Sequence, residues 1–257
     1  MKRIKLVIAY DGTRYCGWQL QTEKLSVEGV INKTLSELLG EDILIIGASR
    51  TDSGVHAMGN VAVFDTEARM AAEKICPALN QRLPKDIRIQ SSIEVSPTFH
   101  PRRVKSRKTY EYRIMNKKIE IPTLRLYSDF IYYNLNLEAM QAATSYLVGE
   151  YDFKSFCSIK TQTDDTVRTI YRLEVMKQED MITISITGSG FLYNMVRIIV
   201  GTLLKVGRGY YPPEHLRTIL EGCDRSLAGP TAPARGLTLI GIEYEDSQME
   251  ATVSDIL

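Results

Sequence analysis

Ile43-Leu44-Ile45-Ile46-Gly47-Ala48, then Ser49-Arg50-Thr51-Asp52-Ser53-Gly54, then Asn60-Val61-Ala62-Val63-Phe64-Asp65: two apolar runs enclose a polar loop. Short runs of this kind, rich in β-branched residues and bounded by turn formers, predict strands over 43–48 and 60–65. Upstream, Ile4, Leu6, Ile8 and Tyr10 alternate with Arg3, Lys5, Val7 and Ala9, a strand with one buried face, and Asp11-Gly12-Thr13 breaks it. Ser26 then stands at a cap position before Val27, Val30, Ile31, Leu35, Leu38 and Leu39 at helical spacing, and Gly40 ends the run. Downstream, 69–82 reads as a helix containing Pro77, and Ile87, Ile89, Ser91, Ile93 and Val95 alternate as a fourth strand. The order is β-α-β-β-α-β.

The second half repeats that order with a strand at 107–115, a helix at 137–148, a hairpin of 169–177 with 181–188, helices at 191–206 and 213–221, and a strand at 237–244. Two copies of a split β-α-β pattern predict an α+β protein of two ferredoxin-like subdomains, 1–104 and 105–246, facing each other across a central basic cleft. An acidic tail, 247–257, follows.

The chain has 257 residues, 44% hydrophobic and 25% charged, with 17 Gly and 9 Pro, which excludes a disordered or collagenous polypeptide. Cys16, Cys76, Cys157 and Cys223 form no C-x-x-C pair, so neither a zinc site nor a disulfide framework is read, and a reducing cytoplasm is expected. The basic start alternates too soon for a signal peptide, and no apolar run is long enough for a membrane span. The formal net charge of +1 hides an uneven distribution. Residues 99–118 hold eight basic residues and one acid, whereas the last fifteen residues hold five acids and no base.

The loop around Asp52 is the first candidate site, because chemistry is commonly mounted on loops between rigid strands. Its composition is equally that of a turn. Asp52-Ser53-Gly54 also matches the aspartic protease loop, but there is no second copy, and Arg50 would depress a carboxylate pKa where that dyad needs one raised. His56, His100 and His215 lack paired spacing, so no metal site is read and His56 is assigned to the loop. No phosphate-loop pattern is present. The segment from Phe99 to Arg113 mixes Arg102, Arg103, Lys105, Arg107 and Lys108 with Tyr110 and Tyr112. It suits a polyanion backbone with stacked bases, and equally a solvated edge strand. Arg197 interrupts an apolar helix between Val196 and Ile198, where an unpaired charge is costly, so it calls for a carboxylate. Any acid would serve; Asp52 is the functional candidate.

Taken together, Tyr10-Asp11-Gly12-Thr13, Tyr15, Gly17-Trp18-Gln19, Gly47 to Ala57, Phe99-His100 through Tyr110-Glu111-Tyr112, Phe191 to Leu204 and Ala228 to Leu237 resemble the TruA-type tRNA pseudouridine synthases over roughly residues 3–245. The chain departs from the family at Pro101, Arg103, Val104 and Lys105, where Ala, Phe, Ser and Ala are commoner, and at Glu28, where Gln is expected. The resemblance implies one continuous, mixed but mainly antiparallel sheet, and an isomerase acting on uridines 38 to 40 of the tRNA anticodon arm without a cofactor, as a homodimer. It implies that Asp52 is the essential aspartate, Arg50 helps turn the uridine out of its stack, Tyr110 stacks on the target base, and Arg197 pairs with Asp52. The cluster Arg102, Arg103, Lys105, Arg107 and Lys108 is then expected to hold phosphates. A non-catalytic RNA-binding module of the same fold is the alternative; it would not need an aspartate paired with a core arginine.

That reaction fits these residue types. Uridine loses its N1–C1′ bond and gains a C5–C1′ bond, a redox-neutral change for which a carboxylate suffices. Asp52 would attack C1′ or C6, or assist proton removal. Turning the base out costs a few kcal/mol, of which stacking on Tyr110 would return about 1–3 kcal/mol.

Overall fold

The computed structural model describes residues 1–158 and 165–245; the acidic tail expected over 247–257 lies outside the described residues. The chain divides into two compact units, residues 1–106 with the segment beginning at Leu239, and residues 107–238.

In the first unit, strand β1 (Lys2–Tyr10) lies between β3 (His56–Thr66) and β4 (Ile87–Val95), antiparallel to both. The short β2 (Ile46–Gly47) adds to β3, as does β10 (Leu237–Tyr244). Ile4, Leu6 and Ile8 of β1 are completely buried, as are Val27, Ile31 and Leu35 of α1 (Val27–Leu39) and Ile75 and Leu79 of α2 (Ala72–Asn80). Each such side chain stabilises the fold by about 1.5–3 kcal/mol. Ser26 caps α1 by accepting from Gly29 N–H. A second apolar cluster joins Val63, Val95 and Phe99 with Ile46, Val104 and Tyr244, and the Phe99 and Tyr244 rings meet edge to face at 5.2 Å.

The order β-α-β-β-α-β holds, with three differences of detail. The strand expected over 43–48 shrinks to Ile46–Gly47 because Ile43 and Ile45 donate their N–H groups to Ser36 Oγ and Asn32 Oδ1 on α1 instead of to a neighbouring strand. The strand expected over 60–65 instead begins at His56, so the polar loop is shorter and His56 is not part of it.

The third difference lies in β4. Val7 faces Ser91 but Ile8 faces Ile89, so Gln90 is an extra residue in the β1–β4 ladder. One extra residue reverses the alternation. Ile93 is therefore 45% exposed, and Ser92 is buried in the place the period assigned to its neighbours. The Ser92 hydroxyl accepts from Cys76 N–H at 2.9 Å and donates to Ala72 C=O at 2.6 Å. These are two groups that a regular helix would pair with each other. Ser92 thus enters α2 one residue before Pro77, where the helix is already weakened, and α2 covers only Ala72–Asn80 of the expected 69–82.

In the second unit, β5 (Ser106–Asn116), β9 (Met181–Gly188), β8 (Val167–Gln178) and β7 (Gly149–Asp152) pair antiparallel in that order, and β6 (Asp129–Ile131) adds parallel to β5. The sheet pairings are thus mixed but mainly antiparallel, and the α+β class is as expected. The helices are α3 (Leu137–Thr144), α4 (Met195–Gly207) and α5 (His215–Gly222). All three are shorter than their apolar periods indicate or begin later. For α4 the delay comes from Asn194, whose left-handed backbone starts the helix four residues beyond the start of the apolar run. No helix among the described residues is long and apolar enough to cross a membrane.

Candidate active site

Asp52 lies in the loop between β2 and β3, half-buried, with Arg50 exposed two residues before it. The end of β1 and the segment following it hold this loop. Thr51 Oγ1 lies 2.7 Å from Tyr10 Oη, and Trp18 N–H donates to Thr51 C=O at 3.1 Å. Beyond Asp52, Ser53 Oγ and Gly54 N–H both donate to Tyr15 C=O at 3.3 Å. Asn60 on β3 donates to Ser49 C=O at 3.0 Å. Asp52 is therefore bracketed by fixed backbone on both sides, and its own C=O accepts from Val55 N–H at 3.1 Å.

Two glycines permit this approach. A Cβ on Gly17, whose φ is +90°, would stand 2.6 Å from Thr51 O, and one on Gly12 would stand 2.0 Å from Val55 O. No side chain fits at either position. The Tyr10-Asp11-Gly12-Thr13 and Gly17-Trp18 motifs thus form the bed of the Asp52 loop, with Trp18 1% exposed and its ring 5.9 Å from that of Tyr10. Periodicity and loop composition carry no signal for this role, because the groups that meet lie some forty residues apart.

Beside the loop, His56 is buried on β3, and its Nδ1 accepts from Gly12 N–H at 3.1 Å. Tyr15 donates to Asp86 at 2.8 Å, and Arg14 binds the same carboxylate. Burial, followed by that hydrogen bond, raises the Tyr15 phenol well above its usual range.

The basic segment lies partly in each unit. Arg102 and Arg103 are exposed on a turn closed by Val104 N–H to His100 C=O at 3.2 Å, and Lys105 is exposed after it. Burial, with the charges of Arg103 and Arg102 adding to it, lowers the His100 pKa. On β5, successive side chains point to opposite faces. Arg107 lies over the Tyr171 ring at 4.9 Å, while Lys108 shares the face of Tyr110. Tyr110 is buried and meets Phe191 edge to face at 5.3 Å.

Arg197 stands in the first turn of α4 among the buried Met195, Val196, Ile198 and Ile199. Its Nε donates to Ala232 C=O at 2.7 Å and its Nη1 to Asn194 Oδ1 at 2.8 Å. Ala232 N–H returns a bond to Arg197 C=O at 3.0 Å. Close by, Tyr112 is fully buried and donates to Pro233 C=O at 2.9 Å. Asp129, 7% exposed, is bound by Arg235 at 2.7 Å. Burial and the Asp129 charge push the Tyr112 phenol far up, with Arg197 and Arg235 opposing. Asp129 carries no sequence signal, and the motifs that contain Tyr112 and Arg235 assign neither of them a role. Among the described residues, no group of three His, Cys, Asp or Glu is disposed to hold a metal ion.

The two units define an α+β protein with a clamped acidic loop in one and a tethered arginine in the other. A family model described as tRNA pseudouridine synthase matches residues 6–102 and 143–245. The tRNA pseudouridine synthase A of Brevibacillus brevis is 47% identical over 244 residues, covering 95% of this chain and 100% of its own length. Its namesake from a Thermoanaerobacter species is 46% identical over the same shares. A crystal structure of a Cbf5-Nop10-Gar1 complex aligns at 14% identity and a TM-score of 0.32, over 78% of this chain and 54% of that one, a likeness too weak to bear on function. The chain belongs to the tRNA pseudouridine synthase family, whose members are isomerases converting uridine to pseudouridine in tRNA. The resemblance carried by the motifs is borne out.

Proposed function

We propose that this protein isomerises uridine to pseudouridine at positions 38 to 40 of the tRNA anticodon arm, with Asp52 as its catalytic carboxylate. The observation that carries this reading is the clamp on the Asp52 loop: Tyr10 and Trp18 hold Thr51, and Tyr15 holds Ser53 and Gly54. A carboxylate that must reach a fixed atom of a turned-out nucleotide benefits from such a fixed backbone, whereas a mere connecting turn does not need one.

In this reading Arg50, exposed beside Asp52, takes the space vacated by the uridine, and Tyr110 stacks on the extruded base. Arg197 pairs with Asp52. A nearby guanidinium favours the ionised carboxylate once water is displaced, where burial alone would favour the neutral acid. Asp52 then acts on C1′ or C6, or assists removal of the C5 proton, and the ring rejoins C1′ through C5. Arg102, Arg103, Lys105, Arg107 and Lys108 hold phosphates along the stem. The resemblance extends the reading to a cytoplasmic homodimer that works without a cofactor.

The test is release of tritium from tRNA carrying uridine labelled at C5, since forming the C5–C1′ bond expels that hydrogen. The wild type is expected to release tritium and Asp52→Asn to release none while still binding tRNA. Tritium release by Asp52→Asn at the wild-type rate would remove Asp52 from the chemistry. Release at positions other than 38 to 40, mapped on the product, would overturn the site assignment alone.

A further inference from the structure

We propose that Asn194 is a positioning residue that aims the Arg197 guanidinium, an inference that rests on the role given to Arg197 above. Asn194 is one of a few non-glycine residues with positive φ, at φ +61° and ψ +7°, and it occupies the cap position of α4. An asparagine at a helix cap ordinarily accepts the backbone N–H of the second or third helical residue. Asn194 makes no such bond. Its Oδ1 accepts instead from the guanidinium of Arg197, the third helical residue, at 2.8 Å.

The other end of the amide is also engaged, its Nδ2 donating to Ser158 Oγ at 2.8 Å. Ser158 is in turn fixed by its N–H to Tyr193 C=O at 3.1 Å. The cap has thus given up its usual duty to the helix and adopted a disfavoured backbone in order to face the arginine. Backbone strain of this kind persists only where its surroundings enforce it, and it gathers at functional positions. With Ala232 C=O holding Nε at 2.7 Å, the planar guanidinium is gripped at two points, which fixes both its plane and its rotation. The remaining N–H donors are thereby aimed in one direction. Without the Asn194 grip the guanidinium would lose one of the anchors that fix its orientation, and Asp52 would lose a fixed partner.

Asn194→Gly separates the two things this residue does, because glycine adopts the left-handed backbone freely and lacks the amide. The variant is expected to melt at or above the wild-type temperature and to bind tRNA with unchanged affinity. Its turnover should fall on the order of 10- to 100-fold, as expected for a displaced catalytic group. The acid limb of kcat/KM should move to higher pH, because a loosened cation favours the ionised carboxylate less. In a double-mutant cycle, Asn194→Gly should add no further loss to Arg197→Lys or Arg197→Ala. Wild-type turnover in Asn194→Gly, or a full multiplicative loss on top of the Arg197 variants, would overturn the inference. Wild-type turnover in the Arg197 variants themselves would instead overturn the pairing of Arg197 with Asp52.

Discussion

Tyr10 Oη and Thr51 Oγ1 lie 2.7 Å apart, one at the end of the first strand and the other immediately before Asp52. Both residues are buried, and Asn60 Nδ2 reaches toward the same phenol at 3.5 Å while it holds Ser49 C=O. The bond joins the end of β1, a strand paired on both sides, to the acidic loop, so the loop takes its stiffness from β1. Tyr10→Phe keeps the ring against Trp18 and removes only the hydroxyl. It is expected to cost about 1–2 kcal/mol in urea denaturation, because the buried Thr51 hydroxyl loses its partner. Tritium release should slow by a larger factor than tRNA binding weakens. Equal losses in binding and turnover would mean that the clamp serves stability alone.

The extra residue in β4 makes neighbouring side chains behave in opposite ways. Ile93 is solvent-facing despite falling on the apolar period, so Ile93→Thr should change stability by no more than about 0.5 kcal/mol. Ser92→Ala removes the hydroxyl that joins Ala72 C=O to Cys76 N–H inside α2. That breaks two part-buried hydrogen bonds at once and should cost about 1–3 kcal/mol. Thermal or urea unfolding of the two variants decides it; a larger loss for Ile93→Thr would place the register one residue away.

Arg3 grips both oxygens of Asp65, at 2.8 Å and 2.6 Å, and this bonding holds the Asp65 carboxyl below its usual pKa, against a partial desolvation cost. A carboxyl with a lowered folded pKa stabilises the protein above its unfolded pKa of about 3.9, and that contribution disappears as pH falls through the folded value. The melting temperature of Asp65→Asn should therefore lie below that of the wild type at pH 7, with the gap closing below about pH 4. The pair is partly exposed, so the effect at pH 7 should be modest. A gap that persists unchanged to pH 2.5 would show that Asn disturbs packing rather than charge.

Arg102, Arg103 and Lys105 are exposed cations on and after one turn. Replacing all three with Gln should leave the melting temperature unchanged and weaken tRNA binding. The slope of log K against log salt should fall by about 0.9 for each phosphate that is no longer neutralised. An unchanged slope would remove this turn from the RNA-binding surface.

Much of the architecture was legible in the residues because period-2 and period-3.6 patterns are local. β1, α1 and the β8–β9 hairpin stand close to where alternation and capping put them. Asp52, Arg197 and the basic segment were likewise visible, since a carboxylate in a polar loop, a cation in an apolar helix and a run of arginines each break their local pattern. The short β2, the bulge at Gln90 and the late start of α4 were not, because each turns on where one N–H group or one backbone angle finds its partner.

By itself, then, the sequence determined the α+β class, the order of strands and helices, the family, and the residue types available for chemistry, all of which follow from local patterning and composition. Only the tertiary structure decided that Tyr10, Tyr15, Gly17 and Trp18 cradle the Asp52 loop, that Ser92 completes α2, and that Asn194 leaves its capping duty to hold Arg197. Those relationships join groups through single hydrogen bonds and close backbone approaches, and such distances are set only when the whole core has packed.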